Sequence, residues 1–108
     1  RVSSRPDFNI LIYPWYRPGA NNPHEAPLFP IPADAPPHFL LCADDDRSHV
    51  EPTVKYYLEL EAAKISTELH VHAYGGHGFG LRPTKKPAPV MDWPQMMLAW
   101  LEERGLLR

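Results

Sequence analysis

Two apolar runs without polar alternation, Ile10-Leu11-Ile12 and His38-Phe39-Leu40-Leu41-Cys42-Ala43, set the strongest limit on what this chain can fold into. A strand with one wet face alternates apolar and polar residues, whereas a continuous short run suits burial on both faces, as in a parallel sheet. The first run belongs to Asp7-Phe8-Asn9-Ile10-Leu11-Ile12-Tyr13-Pro14 and closes at the proline; the second ends at Asp44-Asp45-Asp46. A third strand, Thr67 to Tyr74, does alternate, with Leu69, Val71 and Ala73 on one face and His70, His72 and Tyr74 on the other.

Helical signals fall between and after these strands. The spacing predicts a helix from His49 to Lys64 with Val50, Val54, Tyr57 and Leu58 on one stripe. Ser48 and Glu51 have capping-box spacing, and Pro52 offers an alternative start. A last helix is expected after Asp92 as N-cap, with Gln95 three residues on. Its apolar stripe is Trp93, Met96, Met97, Trp100 and Leu101, and Gly105 marks its stop. The order strand, loop, strand, helix, strand, helix gives an α/β fold with three parallel strands joined by right-handed crossovers. The connection from Pro14 to Pro37 carries eight of the 14 prolines and no helical or strand period. Loops of that length in compact domains are usually functional or disordered, and its prolines, with Trp15, Tyr16 and Phe29, point to an ordered flap.

Chemistry concentrates at one edge. In parallel neighbours all carboxyl ends share an edge, where open α/β sheets bind ligands. Asp46 follows the second strand there. His77 follows the third, at the tip of Tyr74-Gly75-Gly76-His77-Gly78-Phe79-Gly80. Glycines beside an imidazole leave it accessible, and an imidazole moves protons near neutral pH. A carboxylate on a neighbouring strand can hold its tautomer while the other ring nitrogen meets a nucleophile. Asp46 is the favoured acid and Asp45 the next choice. The chain holds neither a Gly-x-Ser-x-Gly elbow nor a comparable turn around cysteine; Ser3, Ser4, Ser48 and Ser66 lack that context. Two members of a catalytic triad are thus expected, without the third.

The remaining composition excludes more than it selects. A net charge of −2 gives no case for nucleic acid or an anionic membrane, and no apolar run approaches the ~20 residues of a membrane span. The one cysteine, Cys42, permits no internal disulfide and reads as a buried core residue. His70 and His72 have the spacing of a metal pair but no third ligand in view, so neither metal nor cofactor is expected. Arg82, Lys85 and Lys86 read as a solvated loop.

With these residues in place, the chain resembles the C-terminal part of the α/β-hydrolase superfamily, nearest to esterases of the acetylxylan and feruloyl type, the group often labelled dienelactone hydrolase. The likeness rests on Arg5-Pro-Asp-Phe-Asn-Ile-Leu-Ile-Tyr-Pro14, Phe39-Leu-Leu-Cys-Ala-Asp-Asp-Asp46, Glu68-Leu-His-Val-His-Ala-Tyr-Gly-Gly-His-Gly-Phe-Gly80 and the Trp93-Pro94 helix. The resemblance implies Asp46 as triad acid and His77 as base of a serine carboxyl-ester hydrolase acting on a small-molecule or carbohydrate ester. It also implies a serine and oxyanion-hole amides in an upstream half of the same domain. Residues 1–108 are accordingly read as one C-terminal portion, beginning at Arg1 without its true N-terminus, inactive and aggregation-prone alone. Its localisation stays open, secretion or a periplasmic site being compatible. Two alternatives stand beside this reading: a non-catalytic, hydrolase-like interaction protein, and the C-terminal part of a prolyl-oligopeptidase-type peptidase.

Overall fold

A computed structural model describes residues 4–14, 30–82 and 89–107. Three strands, β1 (Asn9–Ile12), β2 (His38–Ala43) and β3 (Thr67–His72), form a parallel sheet in the order β1-β2-β3. Helix α1 (Arg47–Ala62) links β2 to β3, and a 3-10 turn at Pro89–Asp92 leads into α2 (Trp93–Glu103). Ile12 pairs with Leu41 and Ala43 with His72, so all three strands deliver their ends to one edge.

The central strand explains its own composition. All six residues of β2 are buried, because helices cover both faces. Leu40 packs with Leu60 and Ile65 on the α1 side, where Leu11, Leu69, Tyr56 and Tyr57 join them. Phe39, Leu41 and Ala43 face the other way, into a core with Phe79, Val90, Trp93, Trp100 and Leu101. Each fully buried side chain of Leu or Phe size contributes about 1.5–3 kcal/mol relative to exposure, which is why β2 tolerates no polar alternation. Cys42 is buried among them, as its place inside the strand suggested.

The local departures from the sequence reading have physical causes. β1 is half-buried rather than buried on both faces, because it is an edge of this sheet. β3 stops at His72, where the backbone bends toward the glycines. Helix α1 starts at Arg47, ahead of both His49 and Pro52, because the Asp46 carbonyl already accepts the N–H groups of His49 and Val50 at 3.0 Å each. Pro52 therefore lies inside the helix, and no capping-box bond forms from Ser48. The helix turns Thr53, Tyr56, Tyr57 and Leu60 toward the sheet and leaves Leu58 58% exposed. Thr53 takes the buried line because its hydroxyl donates to the His49 carbonyl at 2.7 Å and also reaches the Pro14 carbonyl. It closes at Lys64, whose φ of +59° lets Ile65 N–H reach back to the Leu60 carbonyl at 2.9 Å.

At α2, Asp92 occupies the N-cap position without a side-chain cap bond, Pro94 stands in the first turn, and Gly105 at φ +66° ends the helix. The predicted stripe of α2 packs on the sheet, with Trp93, Trp100 and Leu101 buried and Met96 and Met97 against them. The predicted flap residues Trp15, Tyr16 and Phe29, and the loop residues Lys85 and Lys86, lie outside the described residues.

Candidate functional site

Three consecutive aspartates leave the end of β2 and do three different things. Asp44 faces solvent in a loose pair with Arg47 at 3.6 Å. Asp45 turns toward the glycine loop, its Oδ1 accepting the Gly76 N–H at 2.8 Å, with Gly75 N–H at 3.4 Å from Oδ2. Asp46 turns inward with its side chain only 4% exposed, and its Oδ2 lies 2.8 Å from His77 Nδ1. The two residues singled out by sequence spacing thus meet, and Asp45 is not against the imidazole.

The loop after β3 is held at both ends. Asp45 fastens its start, and the Trp93 indole N–H donates to the Gly80 carbonyl at 2.8 Å at its far end. Between them Phe79 is buried in the core while His77 stays 49% exposed. Anchored neighbours hold an accessible ring in place. An ionised carboxylate only accepts, so His77 must carry its proton on Nδ1, which leaves the Nε2 lone pair on the outer side of the ring.

Two further residues complete the arrangement. His49 Nδ1 lies 2.9 Å from the other Asp46 oxygen, Oδ1, and its ring stacks on that of His77 with centroids 4.0 Å apart and planes 21° apart. Tyr13 lies against His77 at 4.5 Å and meets Phe79 edge-on at 5.0 Å. Tyr13 takes a φ of +43°, uncommon for a bulky side chain, while its N–H extends the ladder to the Leu41 carbonyl at 2.6 Å. Such strain is held by surrounding contacts and concentrates at functional positions.

Neither residue emerged from the sequence reading. The signal for His49 was present: positions three apart on a helix are neighbours, and Asp46 immediately precedes the helix. Nothing in the sequence announces the backbone of Tyr13.

The electrostatics of Asp46 result from opposed effects. Burial pushes its carboxyl up, but hydrogen bonds from His49 and then His77, with the charge of both rings, outweigh it and hold it below its ordinary value. Asp46, His49 and His77 bring one donor atom each within 4.8 Å, a spacing open to a cation, yet the two imidazoles and the carboxylate already satisfy one another. His70 and His72 stack at 6.1 Å and belong to no three-donor group among the described residues.

Ser48 Oγ lies 2.9 Å from His49 Nδ1, the same nitrogen that faces Asp46. A ring nitrogen already donating to a carboxylate cannot accept a hydroxyl proton, so this serine is not activated. Among the described residues no serine hydroxyl bonds to His77. A surface depression of about 380 Å³ lined by Thr67, Glu68, Trp100, Glu103 and Arg104 begins at the amino end of β3, away from this edge.

A parallel sheet covered on both faces, with an acid after one strand and an imidazole after the next, defines the carboxyl-terminal portion of an α/β-hydrolase fold. Solved structures bear this out. The chain aligns over its whole length with 46% of an acetyl ester-xyloside bifunctional hydrolase from Caldicellulosiruptor lactoaceticus, at 27% identity and a TM-score of 0.79. It is also similar to MGS-M1, an α/β-hydrolase enzyme from a Medee basin deep-sea metagenome library. That match covers 92% of this chain and 44% of the other at 21% identity, with a TM-score of 0.76. The carboxylesterase Cest-2923 from Lactobacillus plantarum WCFS1 matches 94% of the chain with 46% of its own, at 23% identity and a TM-score of 0.74. The chain therefore spans a little under half the length of these hydrolases. No protein-family model and no curated protein matches it.

Proposed function

We propose that Asp46 and His77 are the acid and base of a serine carboxyl-ester hydrolase whose nucleophile comes from a part of the domain that this chain does not span. One observation carries the reading: a buried carboxylate bonded at 2.8 Å to Nδ1 of a half-exposed imidazole, at the strand-end edge of the sheet. A serine hydroxyl brought to Nε2 gives up its proton there while its oxygen attacks the ester carbonyl. The imidazolium formed is stabilised by Asp46, which stays ionised. His77 returns the proton to the departing alcohol as the ester C–O bond breaks. Water then repeats the sequence on the acyl group, releasing the acid and the serine. Asp45 and Trp93 keep the loop that presents His77 in place.

The substrate class proposed is an acetylated or feruloylated carbohydrate, of which the acetylated one is supported by the name of the neighbour with 27% identity, an acetyl ester-xyloside hydrolase. The test is hydrolysis of p-nitrophenyl acetate and acetylated xylan by the full-length protein that carries this chain. His77→Ala should cost about 10²- to 10⁴-fold in kcat. The 108-residue chain alone should be inactive, having no nucleophile elbow. Cleavage of aminoacyl-proline anilides without ester turnover would favour the peptidase alternative. Absence of either activity would favour an interaction protein.

A further inference from the structure

Asp46 serves two imidazoles at once, one per oxygen. Oδ2 accepts from His77 and Oδ1 accepts from His49, at 2.8 and 2.9 Å. The same two rings also touch each other, stacked at 4.0 Å and 21°. Three groups therefore fix one another: a carboxylate, the ring that would move protons, and a second ring 20% exposed on the first turn of α1.

We propose that His49 is a positioning residue for His77, an inference that rests on the acid–base reading of that ring. Two physical routes lead from one to the other. The first runs through Asp46. Its carboxylate is 4% exposed, so water cannot readily replace a missing donor at Oδ1. With His49 removed, the carboxylate gains by turning so that both oxygens share the donors that remain, and its bond to His77 loses its fixed direction. Ser48 Oγ, at 3.4 Å from Oδ1, is the nearest substitute and is too far for a strong bond.

The second route is direct. The His49 ring covers one face of His77, limiting rotation of an imidazole whose loop neighbours are glycines. His49 sits on a helix and is itself held at Nδ1, so it makes a stiffer wall than the loop could provide. It touches neither nucleophile nor substrate in this role. Its effect appears in the orientation of His77 rather than in binding.

The experiment uses the full-length protein carrying this chain, with three variants and two readouts. His49→Ala removes donor and stack, His49→Phe keeps a stacking ring without a donor, and His49→Asn keeps a short N–H donor without the ring. On p-nitrophenyl acetate the alanine variant should lose about 10- to 100-fold in kcat, as expected for a displaced catalytic group. Its KM should stay within about twofold, because no substrate contact is removed. Phe and Asn should each recover part of that loss. An unchanged kcat in His49→Ala, or a loss confined to KM, would overturn the proposal.

The second readout does not depend on turnover. Nitrogen-15 chemical shifts of His77 at neutral pH report its tautomer and its hydrogen bond to Asp46. In the folded His49→Ala protein the Nδ1–H signal should lose its strongly hydrogen-bonded shift, and His49→Asn should restore it in part. Shifts identical to wild type would again refute the positioning role. If wild type lacks ester hydrolysis but shows these coupled shifts, the acid–base reading fails while the coupling of His49 to His77 stands.

Discussion

The carboxylate of Asp45 accepts the Gly76 N–H at 2.8 Å, so the residue before His77 is fastened to the residue before Asp46. The acid and the imidazole thus sit one bond away from a clamp between their own neighbours. Sequence spacing makes Asp45 the second choice for the acid, and its contact with Gly76 gives that aspartate a different use. Asp45→Ala should loosen the loop, lowering kcat in the full-length protein more than it changes KM. Loss of one exposed charge-assisted bond should cost about 1 kcal/mol of stability. Asp45→Asn keeps an acceptor for the Gly76 N–H and should lie between the two. Denaturant unfolding and steady-state kinetics on the three proteins check this, and full activity in Asp45→Ala would contradict it.

Much of this edge was legible because it follows from chain direction alone. β2 carries the bounds read from its apolar run, and parallel neighbours joined by one helix must end side by side, which brings Asp46 to His77. What the sequence hid was of two kinds. The extent of α1 depends on a carbonyl, that of Asp46, accepting two N–H groups before the first residue with helical patterning. The roles of His49 and Tyr13 depend on ring placement, to which hydrophobic periodicity is blind because neither residue belongs to an apolar stripe.

The lowered Asp46 pKa makes a signed prediction for stability. A carboxyl held below its unfolded value contributes stability that is fully present above the unfolded pKa, about 3.9, and is lost as pH falls through the lower folded value. The advantage of wild type over Asp46→Asn should therefore shrink as pH falls below about 4. Urea unfolding of both proteins from pH 6 down to 2.5 measures it. Parallel curves throughout would mean that the hydrogen bonds from His49 and His77 do not favour the ionised form.

His38, at the other end of β2, makes stability fall with pH in a higher window and for a different reason. It is buried, its Nδ1 donates to the Pro36 carbonyl at 2.7 Å, and its Nε2 accepts from Tyr56 Oη at 2.9 Å. The Asn9 amide nitrogen also approaches Nε2, at 3.2 Å. Burial lowers its pKa, the bond to Pro36 opposing this in part. Below about pH 6.5 the unfolded chain takes up a proton that folded His38 resists, so stability should fall as pH drops from there to the folded pKa. His38→Gln, which retains a donor and an acceptor, should flatten that part of the pH profile. Thermal unfolding between pH 8 and 5 decides the matter; an equal slope in the variant would remove His38 as its source.

Gly75 tests whether the loop carrying His77 is seated as tightly as its anchors suggest. A Cβ added there would lie 2.7 Å from Val90 Cγ1, 3.2 Å from Val90 Cβ and 3.3 Å from Ala43 Cβ. Val90 is fully buried in the α2-side core and Ala43 ends β2, so neither can yield as a surface side chain would. Gly75→Ala should therefore destabilise the protein by about 1–3 kcal/mol through two causes, overpacking and the strain of a side chain at its φ of +154°. The shift also moves the backbone whose next N–H binds Asp45, so kcat should fall together with stability. Gly76→Ala separates the two causes: its Cβ meets nothing within 4 Å, and only its φ of +64° resists the substitution. Val90→Ala combined with Gly75→Ala should recover part of the stability lost to the clash, and no recovery in the double variant would place the strain elsewhere.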